Sequence, residues 1–253
     1  MQVKYLCISV FLYVFSLSVY SLTVEKTFYE EHSDPLEQFQ TTLQQAKKNN
    51  TLILMVIGAN WCHDSRALAE QLNSDAVKEV INQHYSLMLV NAGWLTDLST
   101  LLGPLGHPVY FGTPSVFIID PVHEIILNRP SVQRWQSAHS ESDSSLAHYL
   151  TLQNEKASER TKLVLTRKSE NSQRIAQVLA FEEQQAKRLY HAYSILGPKL
   201  AIESQTGHAQ ELDHLWEEVR KYRYKLQRDL VVLYQSMDNE ELYIPEYQRL
   251  SFE

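Results

Sequence analysis

Residues 51–57, Thr-Leu-Ile-Leu-Met-Val-Ile, form a continuous apolar, partly β-branched run that ends at Gly58. Such a run is too short for an ordinary buried helix but fits a strand, and because it does not alternate, both faces of that strand must be covered. Residues 85–91 repeat the pattern after a helical stretch at 75–84 that opens on Ser74-Asp75. Buried strands separated by helices predict an α/β fold. The composition agrees: 44% of the 253 residues are apolar, with 7 Gly and 2 Cys, which excludes disorder, collagen and a disulfide-rich scaffold.

Other signals complete this part of the chain. Asp34-Pro35-Leu36-Glu37 reads as a helix start, with Asp34 as the cap, Pro35 at the first helical position and Glu37 reaching back; the helix runs to about residue 48. Gly58-Ala59-Asn60 turns the chain into a helix at 62–72, and a short helix is expected at 95–102. Strands at 115–119 and 124–127 flank the turn Asp120-Pro121-Val122-His123, and a helix at 142–153 closes the unit. The order β-α-β, hairpin, α predicts a mixed sheet with helices on both faces.

The first 21 residues read as a cleaved signal peptide. Lys4 precedes an apolar stretch at 5–20, too short to span a bilayer, and Val19-Tyr20-Ser21 fits a cleavage site before Leu22. Cleavage removes Lys4 and Cys7, taking the formal charge from −7 to −8 and leaving Cys62 as the sole thiol. Such a thiol cannot close an internal disulfide. In an oxidising compartment it is buried, paired with another molecule, or reactive.

Ala59-Asn60-Trp61-Cys62-His63-Asp64-Ser65-Arg66, at the end of a buried strand and opening a helix, resembles the Trp-Cys-x-x-Cys site of the thioredoxin-like superfamily. Gly112-Thr113-Pro114-Ser115, about fifty residues on, resembles that family's cis-proline element. The resemblance covers roughly residues 34–152 and implies a thioredoxin-like mixed sheet flanked by helices. Among family members it is closest to secreted ones. Two departures remove the family's dithiol chemistry: Ser65 stands at the second cysteine, and Val56 stands where thioredoxin has a buried carboxylate. What the resemblance carries over is a monothiol Cys-x-x-Ser site. Pro114, cis as in the family, would leave the Thr113 backbone free to pair with an extended substrate beside Cys62.

The physics of the site can be argued from its residues. The thiolate is the nucleophile, and the free amides and dipole of a helix N-terminus favour it. Ser65 is placed to donate to the Cys62 sulfur, and a protonated His63 would add favourable charge, whereas Asp64 opposes it; the balance predicts a modestly lowered Cys62 pKa. Cys62, Ser65 and His63 are thus the candidate catalytic residues, and Trp61, Thr113 and Pro114 the candidate substrate-binding ones. Each also has a plainer reading: Trp61 as an apolar cover, Cys62 as a small hydrophobe, Ser65, His63 and Asp64 as first-turn residues, and Pro114 as a turn former.

From residue 153 the chain is more highly charged, carries only Gly197 and Gly207, and shows helical periodicity without strand signals. The expected organisation is a signal peptide (1–21), a thioredoxin-like domain (22–152) and an all-α helical extension (153–253). Residues 155–168 extend the preceding helix. Helices at 172–196, stopped by Gly197-Pro198, and 208–237 make an antiparallel hairpin, packed on the first domain or on a second copy as a homodimer. The aromatic tail 243–252 docks onto the body. Arg220-Lys221-Tyr222-Arg223-Tyr224-Lys225 has the look of a nucleic-acid patch, but neighbouring acids and the acidic balance favour a solvated or partner-facing surface. The ten histidines are scattered without zinc-type spacing, so no metal is expected.

Two functions fit. One is a periplasmic or secreted protein that exchanges thiols and disulfides through Cys62 with partner proteins, with no cofactor except glutathione as a resolving thiol. The other is a redox-inactive binding module that holds a partner by the Pro114 groove or the helical hairpin. The first requires Cys62 to be reachable and close to Thr113-Pro114.

Overall fold

The computed structural model describes residues 27–31, 34–236 and 241–253. The predicted signal peptide, its cleavage site and Cys7 lie outside the described residues, as does Met237 at the expected end of the last helix.

Helix α1 (Pro35–Asn49) begins where Asp34 accepts from the Leu36 and Glu37 amides and ends at left-handed Asn50. Strand β1 (Leu52–Gly58) leads into α2 (His63–Leu72) and α3 (Asp75–His84), then β2 (Tyr85–Asn91). A short α4 (Ser99–Leu102) precedes β3 (Ser115–Asp120) and β4 (Ile125–Ile126). The sheet order is β2-β1-β3-β4. β1 runs parallel to β2 in the register Val56↔Leu89, and antiparallel to β3 in the register Val56↔Val116.

The continuous apolar run is explained by burial on both sides. Ile53, Met55 and Ile57 point into one core with α1, whereas Leu54 and Val56 point into another with Leu68 and Leu72 of α2 and Val77 of α3. The second core also receives Leu146 and Leu150 of α5 (Asp143–Glu155), which starts at the Ser142 cap. This is the thioredoxin-like α/β arrangement, with a helical extension made of α6 (Ala157–Glu170), α7 (Ser172–Thr206) and α8 (Leu212–Gln235).

Several local expectations are corrected. Ser74 caps α3 by position only, its hydroxyl donating instead to the Gln71 carbonyl. The helix expected at 95–102 is confined to α4, because Leu95 adopts a positive φ. β4 is shorter than 124–127: Glu124 is left-handed, and the Asn128 side chain takes over pairing by accepting from the Ile118 amide and donating to the Val116 carbonyl. Residues 155–168 do not prolong α5, since Lys156 separates α5 from α6.

The largest correction concerns Gly197-Pro198, which does not stop the helix; α7 continues to left-handed Gly207. Gly197 is where α7 presses on the Trp94 carbonyl, so closely that a Cβ would lie 2.0 Å from that oxygen. Packing of Leu196 before the pair and Leu200 after it offsets the lost proline hydrogen bond.

The extension packs on the thioredoxin-like part. Val178, Phe181, Leu189, Tyr193 and Leu196 of α7 and Val219, Leu226 and Leu230 of α8 join the same core as Ile53 and Ile57. A buried polar cluster fastens the two parts. Glu182 of α7, fully buried, meets His107 Nδ1 at 3.0 Å and both carboxylate oxygens accept from Arg129, at 3.1 and 3.0 Å. The Tyr234 hydroxyl of α8 donates to the same carboxylate at 2.7 Å. Burial by itself would raise the Glu182 pKa, but Arg129 and these hydrogen bonds bring it to about 2. Burial lowers the His107 pKa.

The tail docks as expected. Tyr247 packs on Phe181 and Tyr222, and Arg188 pairs with Glu253 at 2.6 Å. The basic stretch 220–225 is not wholly a surface: Tyr222 is buried, Arg220 pairs with Glu217 and Lys225 with Asp229. No helix among the described residues is long and apolar enough to cross a membrane.

Candidate functional site around Cys62

Cys62 caps the N-terminus of α2 in extended conformation, its own amide bonded to the Ala59 carbonyl. It is partly exposed and is the free cysteine among the described residues. Its sulfur lies 3.3 Å from the Thr113 carbonyl, to which the thiol donates. The Thr113–Pro114 peptide is cis. Residues 51 positions apart in sequence therefore meet at one sulfur atom.

Ser65 is placed otherwise than expected. With Leu68, Ala69 and Leu72 it lies on the inward face of α2, following i, i+3, i+4, i+7 spacing. It is fully buried, and its hydroxyl has no hydrogen-bond partner among the described residues. It does not donate to the Cys62 sulfur, because the turn that points Cys62 outward points Ser65 into the core.

Trp61 is held by more than apolar contact. Its indole N–H donates to the Gly93 carbonyl at 2.7 Å, and its ring stacks on Trp94 at 5.8 Å between centroids, 7° from parallel. Gly93 adopts a φ of +50°, which suits glycine. Gly112, just before Thr113, is crowded by the Gln136 amide and the Arg223 guanidinium, so α8 reaches the back of the Thr113-Pro114 bend.

Sequence reasoning missed two supports. The first is the segment 27–31. Asn60 accepts from the Phe28 and Tyr29 amides, both at 3.1 Å, and returns its own amide to the Tyr29 carbonyl at 2.8 Å. The Tyr29 hydroxyl donates to the Ser65 carbonyl at 3.0 Å; burial, with Cys62 nearby, pushes its pKa well above the ordinary phenol range. Gly58 is required here, since a Cβ would lie 2.2 Å from the Tyr29 ring.

The second is His139. It lies in the 3-10 segment Arg134–Ser140, where its ring nitrogen and backbone amide both contact Asp64 Oδ1, at 2.6 and 3.1 Å. The His63 ring lies 4.8 Å from the His139 ring. Asp64, expected to oppose the thiolate or to serve as a first-turn residue, is engaged by His139. Histidines scattered in sequence are here drawn together: the ligand atoms of His63, Asp64 and His139 lie within 4.8 Å of one another. Asp64 and His139 are 75 residues apart, so no spacing rule could have found the pair.

No family model matches the chain, and no curated protein matches it. Among solved structures, the chain is similar to a disulphide isomerase from Xylella fastidiosa Temecula1, at 25% identity and a TM-score of 0.45 over 49% of this chain and 93% of that one.

Proposed function

We propose that this chain exchanges thiols and disulfides with partner proteins through one reactive thiol, Cys62, in the periplasm or another secretory compartment. The observation that carries the reading is the partly exposed Cys62 sulfur at the start of α2, 3.3 Å from the Thr113 carbonyl. Backbone amides at that helix end favour an attacking thiolate.

In the reaction, Cys62 releases its proton to solvent and attacks one sulfur of a partner disulfide. The Cys62–partner bond forms as the partner's own S–S bond breaks, and the departing sulfur leaves as a thiolate that takes up a proton. One disulfide replaces another, so there is no net oxidation or reduction. Once in a disulfide, Cys62 has no proton to give Thr113, and that carbonyl becomes open to a backbone N–H of the bound partner segment. Trp61 and Pro114 flank the segment. Ser65 cannot release the adduct, and His63 is turned toward His139, so release falls to the partner's second cysteine or to glutathione. Isomerisation, deglutathionylation and capture are the outcomes open to such a site.

The test incubates the reduced chain without residues 1–21 with disulfide-containing secreted proteins, followed by acid quenching and non-reducing electrophoresis. Adducts that disappear with dithiothreitol and are lost in Cys62→Ala are expected. Equal partner capture by Cys62→Ala would replace this reading with that of a non-covalent binding module.

A further inference from the structure

We propose that His63, Asp64 and His139 form a surface site for a divalent transition metal of the zinc class. The donor set is two imidazole nitrogens and one carboxylate. Imidazole suits zinc, copper and nickel, whereas calcium and magnesium prefer oxygen throughout. Three protein ligands with a fourth position left to solvent is the composition of open zinc sites.

Geometry supports the assignment. Zinc bonds of roughly 2.0–2.1 Å place tetrahedral ligand atoms about 3.4 Å apart. The three candidate atoms already lie within 4.8 Å of one another. His63 and His139 are exposed and Asp64 half-buried, so side-chain rotations can bring His63 in and widen the 2.6 Å Asp64–His139 pair toward that spacing.

The backbone beneath is fixed. Gln71 of α2 donates to the Ala138 and Glu141 carbonyls at 2.8 and 2.9 Å, clamping the segment on both sides of His139 to the helix that carries His63 and Asp64. Trp135 and Ala138 of the same segment are fully buried. A contact that merely joined the two segments would need only the Asp64–His139 pair. The exposed His63 ring, 4.8 Å from that of His139 between centroids, is what makes a third donor. Metal binding replaces the hydrogen bond between His139 Nδ1 and Asp64 Oδ1 with two coordinate bonds, and the proton between them moves to His139 Nε2 or to solvent.

The site does not depend on thiol exchange, although it begins one residue after Cys62. The experiment therefore uses the full chain carrying Cys62→Ala, titrated with Co²⁺ alone and then with Zn²⁺. One Co²⁺ per chain with intense tetrahedral d–d absorption, displaced by Zn²⁺, is expected. His63→Ala and His139→Ala should each weaken binding by roughly tenfold or more, as even outer-shell losses do, while exposed His208→Ala leaves it unchanged. Because His139→Ala also breaks the contact with Asp64, its thermal unfolding is compared; His63→Ala loses no such hydrogen bond among the described residues and stands as the second variant. Binding undiminished in both would overturn the site, as would stoichiometry that follows total histidine content. Binding present in the wild type but absent with Cys62→Ala would overturn this donor set, while leaving the exchange reading intact.

Discussion

Two polar clusters in this molecule live under opposite conditions. Around Glu182 the carboxylate is fully buried and is met by Arg129, His107 and Tyr234. Around Cys62 the sulfur is partly exposed and, among the described residues, has one weak partner, a carbonyl it can leave. The first arrangement fixes a joint between the thioredoxin-like part and the helical extension, since any change there strands a buried charge. The second holds a nucleophile with little attached to it. Of the two, the saturated carboxylate supports the fold, and the loosely held thiol is available for chemistry.

Breaking the saturated cluster should have the largest effect. Glu182→Ala leaves Arg129 and His107 without their shared partner, and loss of about 3–5 kcal/mol in urea unfolding is expected, the range for one member of a buried ion pair. A loss below about 1 kcal/mol would mean that the joint is held by apolar packing alone.

Acid should do the same by degrees. The His107 pKa is lowered, so the unfolded chain binds a proton there that the folded chain does not, and stability begins to fall below pH 6.5. Glu182 contributes fully above its unfolded value of 4.5 and loses that contribution as the pH falls toward about 2, roughly 2–3 kcal/mol over that window. Urea midpoints at pH 7, 5 and 3 check both steps, and Glu182→Gln should flatten the lower one.

The supports under Cys62 are of intermediate weight. Gly58→Ala drives a Cβ into the Tyr29 ring and should cost about 1–3 kcal/mol, as overpacking does, with loss of hydrogen-exchange protection at the Phe28 and Tyr29 amides that Asn60 accepts. The smallest effect is expected at the sulfur itself. Cys62→Ala should change stability by no more than about 1 kcal/mol, the scale of one hydrogen bond, while abolishing adducts. A larger loss would make Cys62 a packing residue and favour the binding-module reading.

What was legible in the sequence was whatever is local. Asp34 before Pro35 marks a helix start from four consecutive residues, and the apolar run at 51–57 declares a strand covered on both faces, observed at 52–58. Gly197-Pro198 misled for the same reason: locally it reads as a stop, yet packing of Leu196 and Leu200 carries α7 through it, and the glycine is there to admit the Trp94 carbonyl from a hundred residues earlier. The site divided likewise. Cys62 at a strand-to-helix turn was visible, whereas the direction of Ser65 depends on where α2 meets the core. The Tyr29–Asn60 tie and the Asp64–His139 pair are long-range contacts between unremarkable residues, and nothing in their spacing announces them.

The central claim is that the native fold makes Cys62 more reactive toward disulfides than an ordinary cysteine. Glutathione disulfide is added to the reduced chain without residues 1–21, in which Cys62 is the sole thiol, native or unfolded in urea, at one pH, and uptake is followed by intact mass. The account expects one glutathione per chain, on Cys62, gained faster by the native protein than by the unfolded one. Slower uptake in the native state would contradict it, because the fold would then be shielding this thiol rather than presenting it.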